Sequence, residues 1–187
     1  MRIGVDVGGT HTDAVILDGD AVIATTKQLT SADVITGVKG ALDAVLDDSA
    51  VDQRNIELVM IGTTQFTNAV IERRELAPTA AIRIGLPSGR GLPPMLDWPD
   101  DIAEAVGRHH HMLSGGYLYD GRPLAPLDDA EIDAAIADIQ RAGLRNVAIS
   151  SAFAPANREP EEYVANKLRK AIPDAHITLS HKFGRLG

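Results

Sequence analysis

The chain has 187 residues, 44% of them hydrophobic and 24% charged, which predicts roughly one soluble globular domain with room for a sizeable core. Its formal net charge of −8 argues against broad nucleic-acid binding, and the absence of cysteine excludes disulfides, thiolate metal sites and a cysteine nucleophile. No apolar run approaches the ~20 residues that cross a bilayer, and acidic Asp6 interrupts the short apolar N-terminus, so we expect a cytoplasmic protein without a membrane partner.

The first third of the chain predicts three antiparallel strands followed by a helix. Apolar residues alternate over residues 2–8, and the segments "AVILD" and "AVIATTKQL" flank an Asp-Gly turn signal at residues 18–20. A helix is predicted from about Ser31, with Thr30 or Ser31 as its cap, because apolar residues then recur at helical spacing. "IELVMIG" (residues 56–62) predicts a buried strand, and "TTQFTNAVIERR" predicts a loop that turns into a short helix.

The remainder predicts further α-β units around a long loop. "TAAIRIG" reads as a strand, residues 85–100 are rich in Gly and Pro, and "YLYDGRPLAPLD" is typical of a second hairpin. A helix is predicted to begin at Asp128, with Glu131 at capping-box spacing, and to stop at Gly143. The strand "NVAISSAFA", a helix capped by Asn157 and the strand "HITLSH" complete an α/β protein with a mixed sheet. The three-stranded opening differs from a Rossmann start.

The segment "DVGGTHTD" (residues 6–13) forms the predicted tip of the first hairpin. Gly8 and Gly9 leave no side chain in the way of a ligand, and successive exposed amides in such a turn can bind an anion. Asp6 ends an apolar strand, where a carboxylate is costly unless it is paired or binds a metal such as Mg²⁺. Neither the G-x-G-x-x-G nor the G-x-x-x-x-G-K-[ST] phosphate motif fits. On spacing alone, the segment is either a glycine turn or a phosphate loop.

Three segments resemble a known family. They are "MRIGVDVGGTHTDAVILDG", "GTTQFTNAVIERR" and, more weakly, "AISSAFAPANREPEEYVANKLRKAIPDAHITLSH". Together they resemble the N-terminal region of the hydantoinase A/5-oxoprolinase family, within the sugar kinase, heat-shock protein and actin-like ATPase superfamily. The resemblance implies a ribonuclease-H-like mixed sheet with helices on both faces. It also implies that residues 1–187 are the N-terminal lobe of a larger enzyme, with a Gly/Pro-rich insertion at about residues 85–127.

The resemblance also implies a site for ATP and Mg²⁺. Asp6 would orient Mg²⁺, and His11 could reach a phosphate or act as an acid or base, although it could equally point to solvent. The residues assigned to the phosphate or substrate site are Gly8, Gly9, Thr10, Thr12, Asp13, Gly62, Thr63, Thr64 and Asn68. Each has a plainer alternative, since Asn and Thr often only cap helices and a strand-end Asp often only accepts turn amides.

The implied activity is ATP-dependent hydrolysis of a cyclic amide, in which phosphorylation of the amide oxygen makes its carbon attackable. The alternatives are a subunit of an ATP-dependent ketone carboxylase, a non-catalytic docking lobe and a sugar or acyl kinase; kinases of that type often carry a cysteine cluster that this chain lacks. The expected partners are a second enzyme subunit and the remainder of the polypeptide, with the second phosphate loop. The 187 residues alone are therefore expected to be inactive.

The run His109–His111 invites a metal hypothesis that the spacing does not favour. Consecutive side chains on a strand point to alternate faces, so at most His109 and His111 converge. No carboxylate stands at a telling distance in the sequence, and a polar strand or loop edge is the favoured interpretation.

Overall fold

The computed structural model describes residues 1–31 and 33–184, and the chain divides into two compact units, Met1–Arg74 and Glu75–Gly187. The first unit contains β1 (Arg2–Val7), β2 (His11–Asp18), β3 (Ala21–Leu29), α1 (Val34–Ser49), β4 (Leu58–Thr63) and α2 (Gln65–Glu72). Its strands form one sheet in the order β3-β2-β1-β4, in which β1 to β3 are antiparallel and β4 runs parallel to β1. The predicted three-stranded opening is confirmed.

The core of the first unit lies between one face of this sheet and α1. Ile3, Val5 and Val7 alternate with exposed or half-buried residues along β1, and they pack with Ala41 and Val45 of α1. The predicted cap of this helix is wrong. Asp33 caps it, because its carboxylate accepts the Thr36 amide at 3.0 Å and ends the extended segment that follows β3.

The prediction that β4 is a buried strand is wrong for the residues that the structure describes. All six of its residues are exposed, including Val59 at 43% and Ile61 at 57%, which lie on the core face opposite Ile3 and Val5. β4 is an edge strand, and α1 packs chiefly against β1, β2 and β3. An apolar run predicts a strand, but its burial depends on what packs over it.

The second unit contains β5 (Thr79–Leu86), α3 (Asp100–Val106), β6 (His110–Ser114), α4 (Asp129–Arg141), β7 (Asn146–Ser151), α5 (Glu159–Ala171) and β8 (His176–Leu179). Its four strands are parallel, in the order β6-β5-β7-β8. Alternate residues of β5 and β7, such as Ile82 and Ile149, pack under α4 and α5 with Ile139 and Leu168. Asp128 caps α4 as predicted, and Gly143, in the left-handed region, follows its end.

The sequence predicts one mixed sheet, whereas the described strands form a mixed sheet and a separate parallel sheet. α3 was not predicted, because the Gly/Pro-rich loop obscured its pattern, and β6 was anticipated only as a polar strand or loop edge at the histidine run. The predicted second hairpin is reduced to a single bridge between Tyr117 and Pro123. The α/β class is confirmed; the ribonuclease-H-like arrangement with helices on both faces stays a prediction.

None of the described helices is long and apolar enough to span a membrane.

Candidate phosphate-binding site

The loop between β1 and β2 is a tight, exposed hairpin tip. The Gly8 amide donates to the His11 carbonyl at 2.9 Å and closes the turn. The amides of Gly9 and Thr10 donate to no acceptor in the described part of the chain, and both residues are exposed. Two adjacent free amides at an open turn are donors that an anion could use.

Steric limits explain why glycine occupies residues 8 and 9. A Cβ on Gly8 would lie 3.1 Å from the His11 carbonyl oxygen, and a Cβ on Gly9 would lie 3.0 Å from the Asn68 side-chain nitrogen. At Gly8 the neighbour is backbone, so a larger residue would shift the turn, whereas at Gly9 the Asn68 side chain would have to move by a few tenths of an ångström. The close approach also places Asn68, from the second family-like segment, directly against the loop.

The end of β4 brings the rest of that second segment to the same place. Gly62 and Thr63 lie opposite Asp6 and Val7 in the parallel register. The Thr64 amide and the Thr63 hydroxyl both donate to the Val7 carbonyl, at 3.3 Å each. The Thr63 hydroxyl also accepts the Gln65 amide at 3.0 Å, which helps to start α2. The structure thus joins the two segments through backbone contacts, as their resemblance to one family implies.

A row of side chains crosses the sheet on the face opposite α1. The cross-strand order is Gly62, Asp6, Asp13 and Lys27. Part of this face lines an open cavity of about 420 Å³, where Gly4 and Gly62 have no side chain to fill the space. Lys27 donates to both carboxylate oxygens of Asp13, at 2.9 and 3.1 Å. Asp6 is exposed and has no hydrogen bond or ion pair with any described residue. Asp6 is therefore the free acid of the row.

The donor set around Asp6 is compatible with Mg²⁺. This ion keeps several waters and usually takes one or two carboxylates plus substrate phosphates, so the single free carboxylate of Asp6 fits its ligand preference. Within residues 1–31 and 33–184, no group of three or more His, Cys, Asp or Glu side chains is arranged to hold a metal. A metal held by protein groups alone is thus not supported by the described residues.

Thr12 does not belong to the exposed row. Its side chain is 1% exposed on the α1 face, and its hydroxyl lies 3.2 Å from that of Thr30. Thr30 in turn donates its hydroxyl to the Gly8 carbonyl at 2.8 Å and its amide to the Thr10 carbonyl at 3.0 Å. Thr12 therefore supports the loop from below, while the exposed tip carries His11, whose Nδ1 lies 3.2 Å from the Thr10 hydroxyl.

Sequence reasoning missed Thr30 and Lys27. Thr30 was predicted to cap a helix, but the antiparallel pairing of β2 with β3 places it beside the loop. Lys27 faces Asp13 only because the pairing of β2 with β3 shifts register between Ile16 and Leu17. A hairpin pattern could have indicated Thr30, whereas nothing in the sequence marks that irregularity.

The histidine run lies in the second unit, at the start of β6. His111 is half-buried, and its pKa is lowered mainly because burial disfavours the charged imidazolium. His109 and His110 are exposed.

Comparison with known proteins places these features in a family context. The family model described as the hydantoinase/oxoprolinase N-terminal region matches residues 2–172. The alpha subunit of caprolactamase from Pseudomonas jessenii is 27% identical over 201 residues, covering 97% of this chain and 28% of the relative.

Two solved structures are similar in fold. The crystal structure of the ATP-dependent caprolactamase from Pseudomonas jessenii matches with a TM-score of 0.79 and 25% identity, over 97% of this chain and 28% of that chain. The nucleotide-free structure of acetone carboxylase, from work on ATP-dependent acetone carboxylation, matches with a TM-score of 0.76 and 17% identity, over 100% and 30% of the two chains. The chain spans less than a third of the length of these relatives.

Proposed function

Because the chain belongs to the hydantoinase/oxoprolinase N-terminal family, we propose that it is the phosphate-binding part of an ATP-dependent enzyme that hydrolyses a cyclic amide. The observation that carries the proposal is the combination of free amides at Gly9 and Thr10 with the unpaired Asp6. The relative from Pseudomonas jessenii is a caprolactamase, and its solved structure is described as ATP-dependent.

In the proposed mechanism, the hairpin tip receives the terminal phosphates of ATP. The amides of Gly9 and Thr10 would donate to phosphate oxygens, and the Thr12–Thr30 contact and the Thr30 bond to the Gly8 carbonyl support the loop from the core side. ATP would supply the phosphoryl group to the amide oxygen, which makes the amide carbon more electrophilic. Water would then add to that carbon, the C–N bond would break as the amine takes a proton, and hydrolysis of the resulting acyl phosphate would release phosphate and leave a carboxylate. His11, at the same exposed tip, is placed to reach a phosphate oxygen or to move a proton.

Asp6 is the proposed holder of Mg²⁺, directly or through water. The ion, when bound, neutralises phosphate charge. Asp13 is less suited to this role because Lys27 already pairs with both of its oxygens. We assign Asp13 to holding Lys27 in place on the sheet face beside Asp6. Gly62, Thr63, Thr64 and Asn68 are assigned to shaping the site on the β4 side, where Gly62 leaves room for the Asp6 carboxylate at 3.7 Å from its missing Cβ.

The fold likeness to acetone carboxylase keeps a second candidate open, namely a subunit of an ATP-dependent ketone carboxylase. Both candidates use the same phosphate loop and differ in what receives the phosphoryl group. A relative named as an alpha subunit also favours a second enzyme subunit as a partner. The full-length protein, with and without a candidate partner, should be assayed for ATP-dependent opening of lactams, hydantoins and 5-oxoproline, and separately with ketones plus bicarbonate.

The role of Asp6 is tested by Asp6→Asn in the full-length protein. We expect ATP-dependent turnover to fall by about 100-fold or more with an unchanged circular dichroism spectrum, because the change removes the only free acid of the row. Asp20→Asn is the matched control, since Asp20 is exposed at the opposite end of the same sheet, between β2 and β3. Near-normal turnover of Asp6→Asn would remove Asp6 from the mechanism.

A further inference from the structure

Arg83, on an inner strand of the parallel sheet, has a buried Nε that lacks a hydrogen-bond acceptor among the described residues. The residue is half-buried, and its Nε is buried without a hydrogen-bond acceptor. No described residue forms an ion pair or hydrogen bond with any part of its guanidinium. Buried N–H groups in folded proteins almost always have an acceptor, so this one requires an explanation.

Other arginines of the same unit show the usual arrangement. Nε of Arg122 donates to Asp120 and Nε of Arg145 donates to Asp174, each at 2.7 Å. Arg141 pairs with Asp138 at 2.6 Å. These three exposed arginines each have an acidic partner, while the more buried Arg83 has none among the described residues.

The side chain of Arg83 leans toward the carboxyl end of β5. Its Nε lies 4.0 Å from the position that a Cβ on Gly85 would take, and 3.7 Å from the corresponding position on Gly89. Both glycines come after Arg83 in the chain, at the strand end and in the following loop. The loop sequence from Gly85 to Leu96, "GLPSGRGLPPML", contains no carboxylate that could pair with Arg83. Arg90 is the charged residue of this segment, and it is exposed and without a partner among the described residues.

The topology of the sheet independently indicates the same location. The chain passes from β5 to β6 on one side and then returns to β7 on the other side of β5. In open parallel α/β sheets, ligands bind outside the carboxyl ends of the strands where the strand order reverses in this way. Arg83 lies three residues before the end of β5, next to this reversal.

We propose that Arg83 anchors a binding site for a small carboxylate at the carboxyl end of β5. Arginine presents Nε and one terminal nitrogen as a flat fork that matches the two oxygens of a carboxylate. A single guanidinium offers one positive charge, which suits a monoanion better than a phosphate dianion. The buried Nε would gain its missing acceptor when the ligand enters. This proposal concerns residues of the second unit only and does not rest on the phosphate loop of the first.

The test uses the full-length protein and acetate as the probe, with sodium chloride adjusted to keep the ionic strength constant. We expect a saturable rise in melting temperature with acetate for the wild type and for the control variant Arg90→Gln. Arg83→Gln should lose it, and Arg83→Lys should weaken acetate binding by about tenfold because lysine cannot form the fork. The absence of saturable stabilisation in the wild type, or its retention in Arg83→Gln, would overturn the proposal.

Two further measurements keep the outcome decisive. Inorganic phosphate is titrated in parallel, and tighter binding of phosphate than of acetate would refute a carboxylate site. If Arg83→Gln does not fold, the wild-type protein is treated with phenylglyoxal and its peptides are quantified by mass spectrometry. Acetate should then slow modification of Arg83 several-fold relative to Arg90. Equal effects on both arginines, or no modification of Arg83 with or without acetate together with no melting shift, would contradict the proposal.

Discussion

β4 of the first unit and β7 of the second are both six-residue parallel strands, yet their surroundings differ completely. Every residue of β4 is exposed, whereas Val147 and Ile149 of β7 are each 1% exposed under α4 and α5. The more apolar strand of the two is the exposed one. The apolar character of a strand therefore does not report its burial in a given part of a chain; the elements that pack over it decide that.

The acids of the two units show the same contrast. Asp6 is exposed and has no partner among the described residues, whereas Glu161 is fully buried and accepts four hydrogen bonds. The donors to Glu161 are the amides of Ser151 and His181, the hydroxyl of Ser180 and Nδ1 of His181. An acid whose lone pairs are all used holds structure together, while an acid left free beside open amides is available to a ligand.

The first prediction has the largest expected effect, and it tests the difference in burial between β7 and β4. Ile149→Ala should lower the free energy of unfolding by about 2–5 kcal/mol, because it opens a cavity in the core under α4 and α5. Ile61→Ala in β4 is the matched control and should change it by no more than about 0.5 kcal/mol, since the side chain is already 57% exposed. Urea unfolding of the 187-residue chain measures both.

The same two variants can also show that the difference in burial between β4 and β7 does not hold. If this sequence is part of the longer enzyme proposed above, and Ile61→Ala costs as much as Ile149→Ala there but not in the 187-residue chain, then another part of that enzyme covers β4. A large cost in the 187-residue chain itself would instead contradict the exposure of β4 described above.

The second prediction concerns the two kinds of acid. Glu161→Gln should destabilise the chain by about 2–4 kcal/mol, because an amide nitrogen would face N–H or O–H donors where the carboxylate now accepts four bonds. Glu162→Gln is the matched control, because the next residue is partly exposed and its nearest partner, Nε2 of His181, lies 3.6 Å away. Urea unfolding at neutral pH separates the two. Equal, small losses for both variants would mean that the buried network is not structural.

The sequence predicted well where local patterns carry the information. Alternation in β1 and β5, the Asp128 cap and the glycine turn at Gly8 each depend on a few neighbouring residues. It failed where distant packing decides, as for the exposed β4. The site shows the same division: the place of Asp6 at the end of β1 beside the glycine turn was predictable, whereas its exposure, the Lys27 partner of Asp13 and the burial of Thr12 depend on cross-strand pairing and packing. Glu131 shows how tertiary contacts override local rules, since it accepts the Ser114 amide at 2.6 Å instead of closing the predicted capping box.

The third prediction has the smallest expected effect, and it concerns the burial of His111 near the start of β6. Burial lowers the pKa of His111 below its ordinary value of 6.5, with the charges of His109 and His110 adding to this and Asp138 opposing it. The unfolded chain therefore binds the proton more readily, so the contribution of His111 to stability is complete above pH 6.5 and is lost as pH falls through the lower folded pKa. His111→Gln should flatten the decline in unfolding free energy from pH 7.5 to about pH 5, as measured by urea unfolding. His110→Gln, exposed on the same strand, controls for the loss of a histidine, and parallel pH curves for wild type and His111→Gln would show that this end of the sheet is as open as β4.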